Sequence, residues 1–181
     1  MTTEAPRNGE LSSLRVLAHP LRLQMLSLLT GAALSATELA RELGVSQALA
    51  SYHLRQLHRA GVIELGEVRP RRGGRERRFV YRPDAAATPP PAPADGLALF
   101  AEAVAVELRR RSQQAEAGPH RLGIDAELWV EPGQWAEAVE AMRTASLALH
   151  RQAQPPRTAG TIRVSVSAVL FPMATDAPAP S

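Results

Sequence analysis

Residues 35–65 read S-A-T-E-L-A-R-E-L-G-V-S-Q-A-L-A-S-Y-H-L-R-Q-L-H-R-A-G-V-I-E-L, and residues 69–81 read R-P-R-R-G-G-R-E-R-R-F-V-Y. Ser35 is placed to cap a helix, and Glu38 three residues on completes a capping box. Leu39, Ala40 and Leu43 supply that helix's inner face, and Gly44 ends it. Ser46 caps a second helix, which runs to about Ala60 and stops at Gly61. Residues 62–68 and 75–81 then read as the two strands of a hairpin whose loop holds Gly73 and Gly74, residues that tolerate positive φ.

Two short helices joined by a Gly-Val turn and followed by a basic ribbon are the parts of a winged helix-turn-helix. Such a unit lays its second helix in the major groove and its ribbon along the neighbouring backbone. On the second helix Ala50, Leu54 and Leu57 share an inward face. Ser46, Gln47, Ala48, Ser51, Tyr52 and Arg55 then face outward. Gln bonds bidentately to adenine, Arg to guanine, and Ser or Tyr to phosphates and base edges. The small Ala48 and Ser51 let the helix backbone approach the groove floor. Taken alone, such a face is more often simply solvated; beside the capped helix, the turn and the ribbon, the DNA-reading role is the stronger. Seven arginines crowd residues 69–82. Arg71, Arg72, Arg75 and Arg77 are expected to grip phosphates or enter the minor groove.

Charge follows the same division. Residues 1–84 hold 13 arginines against 8 acids, about +5, whereas residues 85–181 hold 8 against 10, about −2. Basicity thus gathers in the DNA-reading half. The chain has no lysine and no cysteine, which excludes disulfides, thiolate metal sites and thiol switching. No apolar run nears the roughly 18 residues that span a bilayer, and the N-terminus lacks the apolar core of a signal peptide. The expectation is a cytoplasmic protein with no membrane partner.

Working outward, residues 1–9 read as a disordered lead. Leu11, Leu14, Leu17 and Ala18 recur at helical spacing, and Pro20 suits the first turn of a new helix. Leu21, Leu23, Met25, Leu26, Leu28 and Leu29 make that helix apolar nearly all round, the centre of a domain over 10–84. Residues 85–95, A-A-A-T-P-P-P-A-P-A-D, form a Pro/Ala linker. Beyond it Leu97, Phe100, Ala101, Val104 and Leu108 mark a helix over 97–117. Residues 121–130 alternate strictly, Trp135, Val139, Met142, Ala145 and Leu149 form a helical stripe, and residues 161–171 alternate again. The expected fold class is α+β: a winged helix-turn-helix, then a small αβαβ dimerisation or effector domain over 96–173 and a disordered tail over 174–181.

The first half resembles the ArsR-type winged helix-turn-helix regulators. The matching residues are L-A-H-P-L-R-L-Q-M-L (17–26), E-L-A-R-E-L-G-V-S-Q (38–47), S-Y-H-L-R-Q-L (51–57), A-G-V-I (60–63) and the wing. The resemblance covers residues 11–82, under half of the chain. It implies a homodimeric transcriptional regulator, commonly a repressor, with Ser46, Gln47, Ser51, Tyr52 and Arg55 at its DNA-reading positions. It also brings a departure. Metal-sensing members of the family use Cys on the helix before the recognition helix, or His and carboxylates on a C-terminal helix. Residues 38–43 here contain no Cys and residues 97–117 no His. His19, His53 and His58 read as structural or DNA-proximal, and His120 and His150 have no partnering spacing. No metal site and no cofactor are expected.

Two strands and two helices make a marginal core by themselves. Self-association is one remedy, with helix 97–117 on its twin and the strands in a shared sheet. An apolar pocket for a small-molecule effector, lined by Phe100, Trp129, Trp135, Met142 and Phe171, is the other. Aromatic and Met side chains at these spacings more often form plain core. No phosphate loop, metal-spaced His/carboxylate cluster or nucleophile beside a base occurs, so no catalysis is expected. The partners expected are double-stranded DNA, a second copy of the chain and, in the pocket reading, an effector. The alternative is a protein-interaction module whose basic ribbon grips an acidic surface.

Overall fold

The computed structural model describes residues 13–71, 74–83, 94–119 and 121–174. Residues 1–9, expected to be a disordered lead, most of the Pro/Ala linker and the expected tail from residue 175 on lie outside the described residues. The element order is α1 (Ser13–Leu17), α2 (Pro20–Gly31), β1 (Leu34–Ser35), α3 (Ala36–Leu43), α4 (Gln47–Arg59), β2 (Glu64–Arg71), β3 (Gly74–Val80), α5 (Ala94–Ser112) and α6 (Pro132–Gln152).

Local chemistry sets most of these boundaries. His19 is the N-cap of α2: its Nδ1 accepts the Leu21 N–H at 3.2 Å, and Pro20 fills the first turn. Ser35 and Glu38 form the reciprocal capping box at the start of α3, at 3.3 and 2.8 Å. Gly44 ends α3 in the left-handed region (φ 66°), where a side chain would be strained. Ser46 caps α4 by accepting the Leu49 N–H at 3.2 Å.

The core lies where α2, α3, α4 and the sheet converge. Met25, Leu29, Leu39, Ala50, Leu54, Leu57 and Ile63 are buried there almost completely. The sheet has three strands in the order β1-β3-β2, all antiparallel. The hairpin forms as expected, but β2 starts at Glu64, because Val62 and Ile63 turn inward to the core after α4. Its N–H holding Leu57's carbonyl at 3.0 Å, Val62 belongs to the helix exit. A bulge at Gly66 separates the pairs Leu65–Phe79 and Glu67–Arg78. Strand β1 was not anticipated; two residues are too few to display a period.

Helix α5 lies past the linker yet packs along α1 and α2. Its buried side chains are Ala103 and Glu107, while Leu108, expected inward, is exposed. The rotation follows from polar anchoring. Gln24 of α2 donates to Glu107 at 2.6 Å, and Arg110 and Arg111 close on the same carboxylate at 2.8 and 3.5 Å. Burial raises the Glu107 carboxyl, but the Arg110 and Gln24 hydrogen bonds and the Arg111 charge outweigh it, and its pKa is lowered.

The C-terminal half departs from the αβαβ expectation. Its helices are present, α6 with no buried residue, but residues 121–130 and 161–171 belong to no sheet. Among the described residues, no backbone group of 121–130 or of 162–171 pairs with another backbone group. Their apolar side chains stand in solvent: Leu122 is 83% exposed, Trp129 84% and Ile162 85%. Alternation prepares a strand, but a strand needs a hydrogen-bonded neighbour, and none is found among the described residues. After α6 the chain returns to the first half. Arg157 pairs with Glu42 of α3 at 2.9 Å, and the Gln154 carbonyl closes on Gly31 at the end of α2.

Candidate nucleic-acid interface

Helix α4 buries Ala50, His53, Leu54 and Leu57 and turns the rest of its surface outward. Ser46, Gln47, Ala48, Tyr52 and Arg55 are exposed and Ser51 is half-buried, so the six side chains form one continuous outward face over the first turns. Leu49 joins that face and was missed; as an exposed apolar residue it is suited to a thymine methyl. The helix N-terminus also carries partial positive charge suited to a phosphate.

His53 fixes how this helix sits. Its Nδ1 accepts from Arg22 Nε at 3.2 Å, its ring meets His19 at 4.6 Å and Tyr52 edge-on at 5.2 Å. Arg22 also donates from Nη1 to the Val16 carbonyl at 2.6 Å. Accepting at Nδ1 requires a neutral ring. Burial first, then the charges of His19 and Arg22, lower the His53 pKa to about 4. His19 shifts the same way, through burial and Arg22. Both histidines are thus structural parts of the joint between α2 and α4.

The wing is the β2–β3 ribbon. Val68 stands opposite Arg77, Pro70 opposite Arg75 and Arg71 opposite Gly74. Pro70 near the tip of an exposed strand blunts it against further pairing. Arg75 and Arg77 are exposed. Arg72 lies outside the described residues; Arg71 ends β2, and its side chain is also outside them.

Not every arginine of the run is available to a phosphate. Arg78 is mostly buried, donates to the Ala33 carbonyl at 3.0 Å and pairs with Glu38 at 2.8 Å. Burial raises the Glu38 carboxyl, yet the Ser35 bonds and the Arg78 and Arg41 charges bring its pKa below normal. One carboxylate thus caps α3 and ties it to the wing. Arg69 pairs with Glu67 at 2.9 Å and Arg82 approaches Glu64 at 3.9 Å, exposed pairs that water and salt readily screen.

A family model described as a helix-turn-helix domain matches residues 17–66. That span holds α2, α3, α4 and the start of β2. With the ribbon beside it, the match supports a winged helix-turn-helix DNA-binding region in a transcription regulator. The rest of the wing, α5 and α6 lie beyond the matched residues. No curated protein matches the chain.

A cavity of about 310 Å³ opens between α2, Tyr81, α5, the end of α6 and residues 166–168. Of the five side chains expected to line an effector pocket, Phe100 borders this cavity. Trp129, Trp135, Met142 and Phe171 do not; Trp135 is half-buried on α6 and the other three are exposed. Among the described residues there is no group of three or more His, Cys, Asp or Glu that could hold a metal. No helix among them is long and apolar enough to cross a membrane.

Proposed function

We propose that this protein is a sequence-specific transcriptional repressor of the ArsR-like kind, cytoplasmic and non-enzymatic, that binds operator DNA as a homodimer. The observation that carries this reading is the outward face of α4. Gln47, Ala48, Tyr52 and Arg55 are exposed on a helix whose opposite side is locked into the core. An exposed, largely polar face beside a ribbon bearing exposed Arg75 and Arg77 matches the major groove in shape and its flanking phosphates in charge. In a dimer the two α4 helices read half-sites about one helical turn apart. Repression follows from occupancy of a promoter, and no metal is used as the signal.

The test is a gel shift and footprint with DNA from upstream of the protein's own coding region. A specific footprint with steep salt dependence is expected. Absence of any shift at low salt would overturn the reading in favour of a protein-docking module. An effector-responsive form of the repressor rests on the cavity beside α5, whose volume is at the small end for ligand pockets. It gains little from Trp129, Trp135, Met142 and Phe171, which stand away from that cavity.

A further inference from the structure

Residues 121–130 and 162–171 belong to no helix or sheet, carry apolar side chains at alternate positions (Leu122 to Leu128 in the first, Ile162 to Ala168 in the second), and have no backbone hydrogen-bond partner among the described residues. An unpaired strand edge is a template for another chain, and exposed apolar residues on such an edge are a surface awaiting cover. On these two segments the exposed apolar side chains amount to on the order of 1,000 Å² per chain, beyond the few hundred Å² of a typical monomer's largest patch. Doubled, that is about 2,000 Å², the scale of an obligate dimer interface. Helix α6, which lies between the segments in sequence, has no buried residue of its own.

We propose that the cover is a second copy of this chain, with residues 121–130 of each protomer pairing as a β-strand with residues 161–171 of the other. Charge selects this combination. Asp125 and Glu127 share the polar face of the first segment, and Arg163 lies on the polar face of the second. Crossed pairing sets Arg163 among the two acids, whereas pairing of 121–130 with its own twin at full antiparallel overlap sets acids against acids, and Arg121 meets an acid only when that overlap is shortened. Crossed pairing is also satisfied twice by one two-fold axis, so each contact recurs in reverse. On the apolar face, Leu122, Ile124 and Leu128 then share one layer with Ile162, Val164 and Val166, out of water.

The proposal rests on the homodimer reading and specifies how the dimer is held. The chain contains no cysteine, so Asp125→Cys and Arg163→Cys each introduce a single thiol. The two full-length variants, co-expressed with different tags, are treated with a short bis-maleimide that spans a shift of about two residues in register. Cross-links between the tags are expected to predominate over those within either variant alone. Hydrogen exchange on the unmodified protein, which needs no variant, should show slowed amides over both segments. Ile124→Arg with Val164→Arg should yield monomers in which that protection is lost. A dimer by light scattering with random-coil exchange over both segments would overturn the strand pairing and leave the homodimer standing. Asp125→Cys linking to itself as efficiently as to Arg163→Cys would overturn the crossed arrangement. A monomeric mass for the unmodified protein would remove the homodimer and this proposal together.

Discussion

At the scale of single residues, His53 and Glu38 carry consequences out of proportion to their size. His53 is neutral in the folded chain with a pKa of about 4, against about 6.5 in an unfolded chain. Between those values the unfolded state binds a proton that the folded state refuses, so stability is full above about pH 6.5 and falls as pH drops toward 4. Glu107, with its lowered pKa, loses its carboxylate in the same direction, at pH values below its unfolded range. Thermal melts from pH 7 down to 4 should show a falling Tm, with up to about 3 kcal/mol attributable to His53. His53→Gln keeps a neutral acceptor for Arg22 and should flatten that part of the slope; an unchanged slope would refute the assignment. Glu38→Ala removes half of a capping box and the Arg78 partner together, and should cost about 1 to 3 kcal/mol in denaturant unfolding. Arg78→Ala should lower stability by a comparable mechanism, unlike Arg75→Ala, which should leave the melt unchanged.

At the scale of elements, the recognition helix and the wing divide the work. Gln47→Ala or Tyr52→Ala should narrow the gap between operator and random DNA, at about 1–3 kcal/mol per lost base contact. Arg75→Ala or Arg77→Ala should instead weaken binding to both and reduce the salt slope by roughly one each. Competition gel shifts at several salt concentrations separate the two, and equal losses on both DNAs for both classes would refute the division. This half of the molecule was largely legible in the sequence, since its signals are local: Ser35 with Glu38, Gly44, Ser46 and Gly61 punctuate helices within four residues of themselves. What escaped was tertiary. Nothing near Arg78 in the chain shows that Glu38 and Ala33 claim it, and nothing near Leu108 shows that Glu107 turns inward to meet Gln24. The alternation of 121–130 and 161–171 was visible, but the partner that turns an extended segment into a strand is not encoded in the segment.

At the scale of the whole molecule, α5 packs along α1 and α2, while the chain that follows it meets the DNA-reading half at few points among the described residues. Arg157 meets Glu42 of α3 at 2.9 Å, and the Gln154 carbonyl lies 2.3 Å from where a Cβ on Gly31 would stand. In the proposed dimer these joints fix the distance between the two α4 helices, and so the permitted spacing of half-sites. Inserting about five base pairs, half a helical turn, between half-sites should abolish high-affinity binding in a gel shift. Undiminished binding would mean that the reading heads swing independently.

Gly31 then takes on a meaning beyond its place at the end of α2. Even a methyl group there would wedge the chain after α6 away from the helix that carries the core. Gly31→Ala would therefore act as a loosened screw: each half intact, the operator still recognised, and the tolerance for misplaced half-sites widened.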